Sequence, residues 1–211
     1  MHVVIIGGNG RTALLLGGLL TAAGHQVTGT IRDPAQGPRL AAAGMRAAVA
    51  DLERATTADL ATVLTGGDAV VYAAGAGTGS STGLKTAIDR DAAVHCIDAA
   101  QIAAIPRFVL ISSWGAGPVP PEEPSGLYLT LKGEADDYLR SRDLDWTVLR
   151  PTALTDDPGT GRIRVGTGLP LGSIPRADVA ALLARLLTHS DGLRRQFEVT
   201  SGEEDLTTVP L

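Results

Sequence analysis

Val3-Val4-Ile5-Ile6-Gly7-Gly8-Asn9-Gly10-Arg11-Thr12-Ala13 is the stretch whose reading decides the fold. Four β-branched apolar residues in a row suit a strand buried on both faces. Glycines crowd the next four positions, and an Ala/Leu-rich helical stretch follows at once over 11–23. Read as G-x-x-G-x-x-A, Gly7 and Gly10 serve a tight turn and Ala13 lets helix and strand pack closely. Read from Gly8, the run also satisfies G-x-G-x-x-A. Asn9 tolerates the left-handed conformations that such a turn can require. A strand that turns directly into a helix presents unpaired amides and the positive dipole end, a setting for a pyrophosphate.

Outward from this turn, short apolar runs alternate with longer Ala/Leu-rich stretches. Strands are predicted over 3–6, 26–31, 46–49, 69–73, 108–112, 146–149 and 197–199. Helices are predicted over 11–23, 39–43, 57–64, 84–103, 126–141 and 176–187. Strict alternation of strand and helix implies parallel strands joined by right-handed crossovers. The expected fold is therefore α/β, a Rossmann-like doubly wound parallel sheet with helices on both faces, in one domain over 1–211. Ligands of such sheets sit at the carboxyl ends of the strands, where strand order reverses. A proline-rich loop over 118–125 lies beside that region. The short C-terminal part leaves a segment of about 151–175 as the wall of a substrate pocket.

Composition narrows the function classes. Apolar residues are 44% and charged residues 19% of the 211, which excludes a disordered chain. A net charge of −5 offers no broad basic surface for nucleic acid. The lone Cys96 can form no internal disulfide, fits a reducing compartment, and reads as a buried structural thiol within an apolar run. His2, His25, His95 and His189 show no metal-ligand spacing, so no metal is expected. No leader and no membrane-length apolar stretch is seen, and a cytoplasmic protein with a small-molecule partner is expected.

Within a dinucleotide fold, the end of the second strand separates NAD from NADP. An acid there bonds the ribose 2′-hydroxyl, and an arginine suits a 2′-phosphate. Arg32 comes first and Asp33 follows, so NADP(H) is expected over NAD(H). Arg11, a cation in the first turn of a helix, makes sense beside an anion, or else extends into solvent. Asp51 either bonds the adenine amino group, with Leu52 packed on the ring, or caps the turn that follows. Ala73, Ala74 and Gly75 end the fourth strand with small side chains that let a ribose approach the backbone.

These residues, with Ile31-Arg32-Asp33-Pro34, Asp51-Leu52, Leu144-Asp145-Trp146-Thr147-Val148-Leu149-Arg150-Pro151, Leu154-Thr155-Asp156, Pro158-Gly159-Thr160-Gly161 and Ile174-Pro175-Arg176-Ala177-Asp178-Val179-Ala180, carry a resemblance over nearly the whole chain. The chain resembles the atypical short-chain dehydrogenase/reductases, specifically the small NAD(P)H-binding, epimerase/dehydratase-like and NmrA-like group. The resemblance adds Thr12, Pro151 and Thr152 to the cofactor site. It also implies a catalytic Ser/Tyr/Lys set with Y-x-x-x-K spacing, which Tyr128-Leu129-Thr130-Leu131-Lys132 matches. On a helix, Tyr128 and Lys132 share an inward-looking face with Ala135 and Leu139. A lysine there needs a partner, which a dinucleotide ribose would provide; alternatively the tyrosine packs in the core and the lysine snorkels out. The alternation over 127–131 also permits a strand. By resemblance Ser113 takes the catalytic serine position and Ser112 lines the nicotinamide side, unless both only satisfy the backbone where the strand ends. Asp89 stands where extended members carry an asparagine.

The implied activity is hydride transfer from NADPH to a carbonyl of a small, largely apolar substrate. Ser113 would hold the oxygen, Tyr128 would donate the proton, and Lys132 would assist the tyrosine and hold the ribose. Two other functions fit the same fold: a flavin or biliverdin reductase, and an NADP(H)-sensing regulator without chemistry.

Overall fold

The computed structural model describes all residues of 1–211 except Pro121 and Pro124, so part of the expected proline-rich loop lies outside the described residues. Along the chain run β1 (His2–Ile6), α1 (Arg11–Ala22), β2 (Gln26–Ile31), α2 (Gly37–Ala42), β3 (Arg46–Val49), α3 (Thr57–Leu64) and β4 (Ala69–Tyr72). Then come α4 (Thr82–Lys85), a π turn (Thr86–Asp91), α5 (Ala92–Ile102), β5 (Arg107–Ile111), α6 (Gly126–Arg140) and β6 (Asp145–Pro151). The chain closes with β7 (Ala153–Thr155), β8 (Arg162–Gly166), β9 (Ser173–Pro175), α7 (Arg176–Thr188), β10 (Arg195–Ser201) and β11 (Glu204–Asp205).

Nine strands form one sheet in the order β11-β8-β10-β6-β5-β4-β1-β2-β3. From β3 to β10 the pairing is parallel throughout. Strand order reverses between β1 and β4, where Ile6 stands opposite Tyr72. This is the doubly wound sheet that the sequence implies. The period of two in β1 divides the core. Val3 and Ile5 pack with α1, α2 and α7 on one face, while Val4 and Ile6 pack with α3, α5 and α6 on the other.

Alternation breaks after β6, and there the parallel expectation needs correction. β8 is antiparallel to β10, β11 is antiparallel to β8, and β7 pairs with β9 as a separate ribbon. The single helix expected over 84–103 is also modified. Helical backbone runs on through it, but Thr86–Asp91 has π geometry, and there the fully buried Tyr72 hydroxyl donates to the Ile88 carbonyl at 2.5 Å. The stretch 127–131 is helical, as the first turns of α6, which removes the strand alternative.

α6 reaches the site because two glycines let backbones touch. A Cβ on Gly133 would lie 2.6 Å from Gly117 Cα, whereas one on Gly18 in α1 would meet nothing. Gly133→Ala is expected to cost about 1–3 kcal/mol by overpacking. Gly18→Ala is expected to gain about 0.5–1 kcal/mol from helix propensity. Urea denaturation of both variants checks this; an unaffected Gly133→Ala would contradict the close approach.

Candidate functional site

The turn after β1 is a cradle hydrogen-bonded to the end of β2. Gly7 sits at φ +83°, and its N–H donates to Thr30 Oγ1 at 2.9 Å. The Gly8 N–H donates to the Thr30 carbonyl at 2.8 Å, and the Gly10 N–H to the Gly7 carbonyl at 3.0 Å. A Cβ on Gly7 would stand 2.8 Å from the Ala74 backbone, so the turn lies against the end of β4. α1 begins with no side-chain cap and no acid in its first turn. Its leading amides and positive dipole end are therefore left for an anion. The Asn9 Oδ1 is buried without a hydrogen-bond partner among the described residues, an acceptor open to a donor from a ligand. These features fit a dinucleotide.

A cleft of ≈ 410 Å³ opens from this cradle along the strand ends. Gly7, Asn9 and Gly10 line it from the turn, Arg32 from β2, Asp51 and Leu52 from β3, and Ala73, Ala74 and Gly75 from β4. The sequence reading missed Gln36, Glu53, Leu84 and Ile88, which also line it. Glu53 stands beside Asp51-Leu52 and was open to inspection; Leu84 and Ile88 reach the cleft only through the packing of α4 and the π turn.

At the outer end, Asp33 is turned into its own backbone. Its carboxylate accepts from the Ala35 N–H at 2.9 Å. Arg32 is left facing the cleft, with Nη1 3.4 Å from Glu53 Oε1. Asp51 accepts from the Glu53 N–H at 3.2 Å, as a residue that caps the following turn does, and it also lines the cleft.

The second cluster lies beyond the cleft lining, around α6. Lys132 is 3% exposed, so it does not snorkel. Its Nζ donates to the Ile111 carbonyl at 3.2 Å and stands 3.4 Å from Asp89 Oδ1. Asp89, in the π turn, is thus the protein partner that Lys132 has, and the Ala76 N–H reaches its other oxygen at 3.4 Å. Tyr128 is half-buried one helical turn before Lys132. One turn after it, buried Asp136 accepts from Ser112 Oγ at 2.8 Å and from Arg150 Nε at 2.9 Å. Burial pushes the Asp136 carboxyl up, against the opposing pull of Ser112, Arg150 and Lys132. The Ser112 hydroxyl therefore points into this network. Ser113 is less enclosed, and its hydroxyl donates to the Trp114 carbonyl at 3.2 Å.

Arg11 pairs with Asp156, which also accepts from Arg176 Nη1 at 2.8 Å. Thr12 is half-buried in the first turn of α1. Pro151 and Thr152 are buried where β6 ends, and the Thr152 hydroxyl bonds Thr200 Oγ1 at 3.0 Å, away from the cleft. Asp178, at the start of α7, accepts from the Thr160 and Gly161 N–H groups at 3.0 and 2.8 Å and anchors the loop after β7. The Trp114 indole N–H donates to the Leu169 carbonyl at 2.8 Å, and Glu198 accepts from the Leu169 N–H at 2.7 Å. The segment over 165–174 is pinned from both sides. Burial drives the Cys96 thiol well up, which leaves it inert. Among the described residues no helix is long and apolar enough to cross a membrane.

Known proteins resemble this chain over its full length. The uncharacterized sugar epimerase YhfK of Bacillus subtilis is 31% identical, covering 96% of this chain and 95% of its own. A Bacillus halodurans structure, titled a putative NAD-dependent epimerase/dehydratase, is 33% identical with a TM-score of 0.89, covering 98% of this chain and 97% of its own. Escherichia coli ChuY, titled an anaerobillin reductase, shares the fold at a TM-score of 0.81 and 22% identity, over 97% of this chain and 99% of its own. The NAD(P)H-binding family profile matches residues 7–190. With that match spread over a doubly wound sheet whose strand-end cleft is shaped for a dinucleotide, the chain belongs to the NAD(P)H-binding family.

Proposed function

We propose that the chain is an NADP(H)-dependent oxidoreductase of the atypical short-chain type, reducing a carbonyl of a small, largely apolar substrate. The observation that carries this reading is Lys132, buried on α6 one turn from Tyr128 and held against the carboxyl end of β5. A buried lysine costs several kcal/mol unless it is paired, on the order of a full desolvation penalty. A purely structural helix face would be cheaper with an apolar residue there.

When bound, the reduced nicotinamide supplies a hydride. Gly7, Asn9, Gly10 and Thr12 hold the pyrophosphate region, which Arg11 joins by giving up its ion pair with Asp156, and Arg32 meets the 2′-phosphate. Ser113 exchanges its bond to the Trp114 carbonyl for one to the substrate oxygen. Tyr128 donates its proton to that oxygen as negative charge develops on it, which yields an alcohol, and solvent reprotonates the tyrosine. Lys132 holds a ribose hydroxyl with the N–H that neither Ile111 nor Asp89 engages. Asp136 and Arg150 keep the Ser112 side of β5 fixed, so that Ser113 projects from a rigid strand end. The pinned segment over 165–174, with Leu169 and Leu171 and no charged side chain, would form the substrate side.

Two outcomes test the reading. Arg32→Ala should weaken NADPH binding about tenfold or more and leave NADH within about twofold, as measured by calorimetry; equal losses would remove Arg32 from cofactor choice. Tyr128→Phe should bind NADPH normally and lose about 100-fold or more in carbonyl-dependent NADPH oxidation. Undiminished turnover in that variant would move the chemistry to flavin- or biliverdin-type reduction, which needs a hydride and no tyrosine.

A further inference from the structure

The adenosine end of the cleft carries an acid that the reading above leaves without a task. Among the described residues Arg32 is the one guanidinium lining the cleft, and Glu53 is its one ion-pair partner, at 3.4 Å. Both side chains are substantially solvent-exposed, and Glu53 lines the cleft as well. The other charges nearby are engaged elsewhere. Asp33 caps Ala35, and Asp51 takes the Glu53 N–H and faces Arg54 at 3.8 Å. Three carboxylates (Asp33, Asp51, Glu53) thus stand against two guanidiniums (Arg32, Arg54) around the place where a ribose would end.

We infer that Glu53 is the specificity-determining residue for the dinucleotide, restraining Arg32 and opposing a 2′-phosphate, and so narrowing the margin of NADPH over NADH. The inference rests on the cofactor reading proposed above. A phosphate monoester brings about two negative charges near neutral pH. Placed at Arg32, it must displace the Glu53 carboxylate and then stand close to it. The ribose diol of NADH brings no charge and offers hydroxyl donors, which a carboxylate accepts. The same side chain therefore disfavours one dinucleotide and tolerates the other. Specificity here is a difference of two affinities, and the repulsive element counts as much as the attractive one.

The test is calorimetric titration of the wild type, Glu53→Ala and Glu53→Gln with NADPH and with NADH, at low salt and at 1 M salt. Both substitutions sit on an exposed side chain and leave the Glu53 N–H bond to Asp51 in place. Both are expected to tighten NADPH about three- to tenfold while NADH moves by less than about twofold or weakens. The gain should shrink at 1 M salt, where the Debye length is about 3 Å. Glutamine keeps an acceptor oxygen without the charge, so it separates repulsion from positioning. Weaker NADPH binding in Glu53→Ala with none in Glu53→Gln would mean that Glu53 merely holds Arg32 for the phosphate, and would overturn the inference. An unmoved NADPH-to-NADH ratio in both variants would overturn it alone. Failure of the wild type to bind either dinucleotide would overturn the cofactor reading, and this inference with it.

Discussion

The close approach of the Gly7 turn to Ala74 is the contact on which the remaining arrangement depends. β1 and β4 are neighbours at the point where strand order reverses, and their carboxyl ends must diverge to leave a crevice. The crevice exists because the chain leaves β1 through a positive φ at Gly7, with no Cβ to push Ala74 away. A side chain there would meet backbone at 2.8 Å, a distance that rigid strands on both sides could not relieve. The same turn starts α1 without a cap. Geometry and electrostatics of the cleft thus follow from one local constraint.

A second constraint acts on the far side, where the sheet carries buried charge. Lys132 and Asp136 lie one turn apart on α6, facing Asp89 and Arg150 from other elements. Two positive and two negative groups balance in a low-dielectric interior, where any one alone would be costly. One oxygen each of Asp89 and Asp136 still lacks a hydrogen bond, so the network is not saturated. The π turn takes part, because its widened ring sets Asp89 against both Ala76 and Lys132.

Much of this was legible in the sequence, and the exceptions share a cause. The central strands and long helices announce themselves by period, since their burial is set locally by alternating or helical apolar positions. β8 escaped notice because its Arg-Ile-Arg-Val run buries one residue fully, Ile163, and gains strand character only from pairing with β10. β7, β9 and β11 are two or three residues long and likewise exist through their partners. The π turn within the long helix meets the Tyr72 hydroxyl, 16 residues upstream of Ile88, a contact that local periodicity does not reveal. In the site, residues on the glycine turn and at strand ends were readable by position. The pairing of Lys132 with Asp89, the inward turn of Ser112 and the pairing of Glu53 with Arg32 were not, because each depends on side chains brought together from separate elements.

The most direct test of the dinucleotide site is an NMR titration of ¹⁵N-labelled protein with NADPH. The amides of 7–13 and 73–76 should shift together and saturate, with those of Arg32 and Glu53 following the adenosine end. Shifts confined to another surface, or none at millimolar NADPH, would mean that the glycine turn is only a structural corner of the fold.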